Sequence, residues 1–288
     1  MQWEEITRKA YTLGTTPEFV FREETQKAVL SFLSRKSFFR EGVFQGGTAL
    51  RLFYGAPRFS EDLDFVFVAK NSGTWQNTGR LLQGLEAYLL GVFPFPLEVT
   101  AKKQKESETL KRFSLRATGG PLSRKVVVNI EFANVPSYMH RVAHLEFPPF
   151  NPMIRVEAPE EILADKVVAC ALRAYIKGRD LWDIRYLTLE KGLILPVKLV
   201  AQKARDYGST ARELAEKLKK AAEKVREEGR ESILNEMPRF LAKHEAELLP
   251  AQASEAAIGV ASLLEEAAKK VAFHADDGVV PPFPGEQL

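Results

Sequence analysis

Residues 62–68, DLDFVFV, constrain the fold more than any other segment of the chain. Beyond its polar start, the segment has aromatic and β-branched residues at consecutive positions, which is typical of a strand buried on both faces. Such a strand lies in the interior of a sheet. The segment therefore predicts a central strand.

The segments around this strand predict a mixture of helices and strands. Apolar residues recur at helical spacing through residues 3–13 and 17–36, and residues 73–90 are typical of one amphipathic helix. A short turn leads through Gly42 into Val43–Phe44 and the glycine pair, and a brief helix is predicted over 48–53. Further strands are predicted at 97–100, 110–116 and 125–132, separated by charged or Gly-Pro turns.

The later part of the chain is predicted to be helical. Helices are expected over 159–175 and 179–189, and from Pro196 onward the composition shifts to Ala, Glu, Lys, Arg and Leu. The fold class is therefore α+β. We expect a mixed-sheet core with flanking helices over residues 1–190, followed by a helical C-terminal domain over 191–288.

Composition and charge exclude several classes of protein. No apolar run approaches the roughly 20 residues that span a bilayer, and the start MQWEEITRKA lacks the basic and then apolar order of a secretory signal. We therefore expect a cytoplasmic protein with no membrane segment. The net charge of +3 is too small to mark a dedicated nucleic-acid binder. The AKKQK run at 101–105 could meet phosphates, but we favour its interpretation as a solvated hairpin loop.

The cysteine and the histidines, which are potential nucleophiles and metal ligands, give little sign of a catalytic or metal site. The single cysteine, Cys170, lies in the apolar run VVACALRAY and is interpreted as a small buried hydrophobe. The four histidines show no zinc spacing, and the chain contains neither a G-x-S-x-G elbow nor a Walker-type GK[ST] loop. The common hydrolase and P-loop classes are thereby excluded.

A glycine pair with a short helix behind it precedes the acidic strand. Glycine lets the backbone approach a phosphate closely, and the start of a helix supplies free N–H groups and a favourable dipole. Gly46 and Gly47 are predicted to fill this role, with the hydroxyl of Thr48 as an added donor.

The acidic strand carries the candidate metal ligands. Residues two apart on a strand face the same side, so Asp62 and Asp64 project together. Paired carboxylates suit Mg²⁺, which takes oxygen ligands and completes its shell with water and substrate phosphate. Glu131, in the strand segment KVVVNIEF, is the candidate third carboxylate, either as a metal ligand or to activate an attacking hydroxyl; the alternative is the polar end of a strand.

Two arginines flank the same region. Arg51 and Arg58 could each hold phosphate through a bidentate guanidinium, or pair with Glu61.

Basic residues recur later at helical spacing. Lys166, Cys170, Arg173 and Lys177 are three or four residues apart, so we interpret them as a narrow stripe that could neutralise a triphosphate, against the alternative of a solvated basic face.

An aspartate follows this stripe. Asp183 lies four residues after Arg179, so a helix-surface ion pair is the alternative to a role for Asp183 in an active site.

Four blocks of the sequence resemble the AbiEii-type nucleotidyltransferase-like toxins, which are associated with abortive phage infection and toxin–antitoxin pairs. The blocks follow the family's order and cover roughly the first two-thirds of the chain. They are GGTALRL at 46–52, RFSEDLDF at 58–65, DKVVACALR at 165–173 and RDLWDI at 179–184.

The resemblance implies a minimal nucleotidyltransferase fold of the DNA polymerase β type, with Asp62 and Asp64 as magnesium ligands. The family's later lysine and aspartate match Lys166 and either Asp183 or Asp180. Arg173 and Asp180 join the expected nucleotide-binding residues. In the wider superfamily a serine often follows the glycine, and here a hydroxyl is retained at the matching threonine.

The resemblance also implies a function. It implies a magnesium-dependent toxin that transfers a nucleotide from a nucleoside triphosphate to an acceptor hydroxyl, with the tRNA 3′ end as the leading acceptor and a cognate antitoxin encoded alongside. A small-molecule or protein acceptor fits the same core. An inactive member that binds nucleotide or a protein partner is the alternative from another class.

Overall fold

The computed structural model describes residues 1–276, and residues 277–288 lie outside the described part. The chain divides into two compact units, Met1–Glu157 and Ala158–Leu288. The expected boundary between 190 and 191 thus lies inside the second unit. The physical reason is that helices 159–172 and 178–185 pack against each other and against the later helices of the same unit.

The first unit is built on a seven-stranded mixed sheet with the strand order β3-β4-β5-β2-β1-β7-β6. Strand β2 lies in the middle, as the sequence predicts. It pairs antiparallel with β1 and parallel with β5, while β1 pairs parallel with β7. The strands are β1 Gly42–Gln45, β2 Asp62–Phe67, β3 Glu98–Glu106, β4 Leu110–Thr118, β5 Val126–Pro136, β6 His140–His144 and β7 Met153–Glu157.

Helices pack on the sheet where the strands present their apolar residues. Helix α2 packs against β5, and α6 against β3. Phe65 and Phe132 stack with ring centroids 5.2 Å apart, and Phe38 meets both rings edge-on. Each such buried phenylalanine contributes about 1.5–3 kcal/mol. The helices are α1 Trp3–Thr12, α2 Pro17–Arg35, a 3₁₀ turn Phe38–Arg40, α3 Gly46–Tyr54, α4 Gly73–Gln76, α5 Thr78–Leu81 and α6 Leu85–Val92.

Two predictions for the first unit differ from the structure, and two strands were missed. The single helix predicted over 73–90 is three short helices, because the helical path breaks at Asn77 and again at Gly84, which adopts a left-handed φ of 86°. The AKKQK run is not a hairpin loop but part of the edge strand β3, where lysines are common because they discourage pairing with other chains. Strands β6 and β7 were not predicted.

The second unit is helical throughout its described residues. Pro159 begins α7, as predicted, but α7 ends at Leu172 because Arg173 adopts an extended backbone with ψ of 149°. None of the described helices combines the length and apolarity needed to cross a bilayer. The helices are α7 Pro159–Leu172, α8 Gly178–Arg185, a π turn Tyr186–Glu190, α9 Val197–Asp206, α10 Ala211–Glu236, a 3₁₀ turn Met237–Arg239 and α11 Lys243–Asp276.

Candidate active site

Two carboxylates project from the start of the central strand. Along β2, Asp62 and Asp64 are half-buried, whereas Leu63 and Phe65 are buried. This alternation follows from the pleat of a strand, which places residues two apart on one face. The apolar face anchors β2 in the core, and the acidic face is turned to the site.

A glycine lies directly against the second carboxylate. The short β1 leads into α3, with Gln45 opposite Asp64 in the register. Gly46 then adopts a left-handed φ of 79°, and a Cβ at this position would lie 2.7 Å from Asp64 Oδ2. Both the backbone angle and the contact require glycine, so the chain places the start of α3 and a carboxylate side by side.

The next two residues lie close to an arginine and to β2. A Cβ at Gly47 would overlap Nη2 of the buried Arg58, so the Arg58 guanidinium rests on this turn. Arg58 Nη1 also donates to the Phe59 carbonyl at 3.0 Å. The Thr48 hydroxyl donates to the Asp62 carbonyl and thereby ties α3 to β2. The proton of that hydroxyl is therefore used within the protein.

Arg51, the other arginine of the signature, braces the outer side of the same region. Its Nε donates to Glu23, its Nη1 donates to the Pro57 carbonyl at 2.6 Å, and its guanidinium lies 3.7 Å from the centre of the Phe59 ring. Its acidic partner is thus Glu23 of α2 instead of Glu61. These contacts fit a structural role better than phosphate binding.

The candidate third carboxylate lies on the neighbouring strand. Glu131 is opposite Asp64 in the parallel pairing of β2 with β5, and Asn129 Nδ2 donates to Asp62 Oδ1 at 2.9 Å. Glu131 Oε1 in turn lies 2.8 Å from Arg112 Nη2 on β4. Among the described residues, these three carboxylates do not form a group in which all three oxygens lie within 4.8 Å of one another.

A further arginine borders the aspartates from α2. Burial lowers the pKa of Arg22, whereas the charges of Glu61 and Asp62 raise it, and the net shift is downward. Arginine stays protonated regardless. Its Nη1 lies 3.5 Å from Glu61 Oε1, and its buried Nε has no hydrogen-bond partner. Sequence reasoning missed both Arg22 and Arg112, because each belongs to an element distant from the signature.

The donor set of this site fits a hard divalent cation. Asp62 and Asp64 offer carboxylate oxygens on one face, and the glycine turn lets the Asp64 carboxylate lie directly against the start of α3. Mg²⁺ binds through one or two carboxylates plus substrate phosphate, so two protein ligands suffice.

The later motif residues form a charged cluster in the second unit. Lys166 Nζ lies 2.7 Å from Asp180 Oδ1 and 2.9 Å from Asp183 Oδ2, so the lysine contacts both candidate aspartates. Arg173 also donates to Asp180. Burial raises the pKa of Asp180, but the charges of Lys166 and Arg173 outweigh it and hold that pKa well below its usual range.

The structure places Asp183 in the interior and corrects the interpretation of the basic stripe. Asp183 is buried with its Oδ2 2.9 Å from Lys166 Nζ, and Arg179 Nε lies 2.7 Å from Glu236 Oε1. The interpretation of the basic stripe as one helix face is wrong, because α7 ends before Arg173 and Lys177 lies at the start of α8.

Cys170 is buried, as expected. Burial, together with the charge of Asp180, raises the pKa of its thiol to about 12. A thiol of this pKa is unreactive at neutral pH.

A second ionic cluster in this unit was not predicted. Lys203 of α9 is buried with its Nζ 2.6 Å from Glu161 and 3.1 Å from Asp165, both on α7. The ammonium contacts both acids and links the two helices.

Comparison with known families identifies the chain. The sequence model of the family described as "Nucleotidyl transferase AbiEii toxin, Type IV TA system" matches residues 28–259. The chain belongs to the AbiEii family. No curated protein matches the chain.

Two solved structures share the fold of this AbiEii protein. One is a nucleotidyltransferase candidate from H. pylori, with a TM-score of 0.55 and 19% identity over 89% of this chain and 98% of that chain. The other is JHP933 from Helicobacter pylori, with a TM-score of 0.54 and 18% identity over 91% of this chain and 98% of that chain. Similarity at this level of identity shows the fold.

Membership of the AbiEii family indicates the class of enzyme. The protein is a nucleotidyltransferase of a toxin–antitoxin family, which implies a nucleotide substrate and an antitoxin partner.

Proposed function

We propose that the protein transfers a nucleotidyl group, with Mg²⁺, from a nucleoside triphosphate to a hydroxyl of RNA in the cytoplasm, with the tRNA 3′ end as the leading acceptor. The observation that supports this most strongly is the contact of the Asp64 carboxylate with Gly46. It places a candidate metal ligand beside the helix start that is suited to phosphate.

Asp62 and Asp64 would hold the metal. When bound there, Mg²⁺ supplies positive charge that stabilises the triphosphate oxygens and the leaving pyrophosphate. The protein holds the two carboxylates in place. Asn129 fixes Asp62 through its 2.9 Å hydrogen bond, and Gly46 abuts Asp64.

The start of α3 orients the triphosphate. The first N–H groups of a helix lack partners within the helix and attract anions. Gly46 and Gly47 let the Asp64 carboxylate and the Arg58 guanidinium lie against this helix start, so a metal ligand and a positive charge adjoin the proposed phosphate site. The Thr48 hydroxyl keeps the turn on β2, and its backbone N–H is the group available to phosphate.

Glu131 accepts the proton of the attacking hydroxyl. The hydroxyl oxygen forms a bond to the α-phosphorus, the bond from that phosphorus to the bridging oxygen breaks, and pyrophosphate leaves with the electron pair. Arg112 positions the Glu131 carboxylate through its contact at 2.8 Å.

Lys166 and Asp183 remain proposed catalytic residues on the strength of their motif blocks. Within the second unit, Asp183 and Asp180 fix the Lys166 ammonium, and Arg173 fixes Asp180. An ammonium held in one orientation in this way is suited to contact a phosphate group.

Label transfer from each of the four α-labelled triphosphates to total RNA, protein or metabolites tests the proposal. Asp62→Asn and Asp64→Asn should each lower transfer about a thousandfold, since a ligand to a catalytic metal is worth several kcal/mol. Glu61→Gln, next to the pair in sequence, is the matched control and should retain activity. Near-normal turnover in either aspartate variant would overturn the metal site.

The destination of the label tests the acceptor. Label in RNA that is removed by 3′ exonuclease supports the tRNA assignment. Label in protein or in a small molecule would replace RNA as the acceptor, and no magnesium-dependent label at all would favour the inactive alternative. Growth arrest on expression should disappear in Asp64→Asn; toxicity that persists would indicate a cause other than transfer.

A further inference from the structure

Cross-strand rows connect the catalytic aspartates with the basic edge strand. The register aligns Asp64 with Glu131, Glu131 with Arg112, and Arg112 with Lys105. Residues directly opposite each other share one face of a sheet. Members of such a row therefore lie on the same face, from the central strand to the edge.

The neighbouring row ends on a lysine as well. Asp62 is opposite Asn129, Asn129 opposite Ser114, and Ser114 opposite Lys102. Arg116, two residues after Ser114, is on the same face. We call Lys102, Lys105, Arg112 and Arg116 the basic strip; its two lysines and Arg116 are exposed, and the face ends at Glu98.

On the opposite face of β3 and β4, Lys103 and Lys111 are engaged within the protein. Lys103 is opposite the buried Phe113 and lies 2.6 Å from Glu106. Lys111 is buried, and its Nζ donates to the Trp75 carbonyl at 2.8 Å. Protection of an edge strand would account for lysines on either face. It does not account for cations that line up with the catalytic carboxylates.

The position of the glycine turn determines which side of the aspartates is left for an acceptor. Gly46 lies on the β1 side of β2, where α3 begins. The triphosphate is bound there in the proposed function. The other neighbour of β2 is β5, followed by β4 and β3. An attacking hydroxyl at Glu131 therefore comes from a molecule that extends over the basic strip.

We propose that the basic strip binds the phosphate backbone of the acceptor RNA strand and directs its 3′ end to Glu131. This inference rests on the proposed function and adds the surface that holds the substrate. Three strand spacings separate β2 from β3, about 14 Å. At about 3.4 Å per nucleotide, this length accommodates roughly four nucleotides.

The chemistry of the strip favours nucleic acid over an acidic protein segment. Arg112 and Arg116 place guanidinium groups on this face, and the N–H donors of a guanidinium match phosphate oxygens in bidentate contacts. The strip offers two ammonium and two guanidinium groups and presents no exposed aromatic or aliphatic anchor, which is what a protein partner would require.

The test compares two variants of the full-length protein. Lys102→Gln/Lys105→Gln removes two charges of the strip, and Lys103→Gln removes one charge from the same strand on the opposite face. Binding of a fluorescein-labelled single-stranded RNA and of unmodified tRNA is measured by anisotropy across a salt series. All three proteins should melt at the same temperature, because the substituted lysines are exposed.

In the strip variant, the slope of log K against log salt should decrease by roughly 0.7 for each phosphate that the protein no longer neutralises, about 1.4 for the two lysines together. The acceptor KM should rise about tenfold or more with an unchanged KM for the triphosphate, whereas Lys103→Gln should match the wild type. Unchanged slope and acceptor KM in the strip variant would overturn the proposal, as would equal loss in the control. Competition by polyglutamate equal to that by RNA would replace nucleic acid with an acidic protein.

This design separates the two proposals. If RNA binds through the strip but receives no label, the proposed transfer to RNA fails and the strip remains an RNA site. If RNA is labelled normally by the strip variant, the transfer to RNA stands and the strip proposal fails.

Discussion

Replacement of Lys166 by methionine should destabilise the second unit strongly. The side chains of Lys166 and Asp183 are 15% and 2% exposed, and the ammonium contacts both Asp180 and Asp183. With Arg173, the cluster has two positive and two negative groups. Lys166→Met keeps the length of the side chain and leaves the cluster with one uncompensated buried carboxylate.

Removal of one partner from a buried ion pair costs about 3–5 kcal/mol, because the remaining charge stays desolvated. For a unit of this size, each kcal/mol lowers the Tm by about 2–4 °C, so we expect a decrease of roughly 6–20 °C. The double variant Lys166→Met/Asp183→Asn restores neutrality. It should recover stability relative to Lys166→Met, with a coupling energy of at least about 1 kcal/mol.

Urea unfolding followed by far-UV circular dichroism measures these free energies. Lys219→Met, on the exposed face of α10, is the matched control and should change stability by less than about 0.5 kcal/mol. A Lys166→Met protein as stable as the wild type would refute the electrostatic reasoning. So would a double variant whose losses simply add.

Three further outcomes are expected. Gly46→Ala should abolish label transfer and lower stability by at least about 1 kcal/mol, since its Cβ would lie 2.7 Å from Asp64 Oδ2 at a left-handed φ; wild-type kinetics would show that the turn is not constrained. The lowered pKa of Asp180 contributes stability above its unfolded value near 3.9, and that stability is lost as pH falls through the much lower folded pKa. Asp180→Asn should therefore be less stable than the wild type at neutral pH and lose less stability below about pH 4. If the unfolding free energies of the two proteins fell in parallel with pH below about pH 4, this would be contradicted. Because burial raises the pKa of Cys170 to about 12, a thiol reagent should modify it only in urea, and rapid labelling of the native protein would disprove that burial.

Local pattern predicted the elements whose own residues determine them. The central position of β2 follows from its apolar residues on both faces, and the start of α7 follows from Pro159 at its first turn. Strands β6 and β7 show why other elements were missed. Only Ile154 and Val156 alternate with polar residues in β7, and that signal is too short to distinguish from a loop.

The predicted site was limited by contacts between distant segments. The signature identifies Asp62 and Asp64, but Arg22 approaches Asp62 from α2 and Arg112 contacts Glu131 from β4, and no local spacing records such proximity. Arg51 illustrates the reverse case. Its position in the motif suggested phosphate binding, whereas its partner, Glu23, lies 28 residues earlier in the chain.

The pairing of β2 with β5 has a consequence for the time at which the enzyme becomes complete during synthesis. Asp64 is opposite Glu131, which a ribosome adding 5–20 residues per second reaches about 3 to 13 s later. Strand β1 can pair with β7 only after synthesis has reached Glu157, more than halfway along the chain. A nascent chain stopped between these points carries both aspartates without the neighbours that complete their sheet. We therefore expect translation products terminated between these points to be harmless to the cell that makes them.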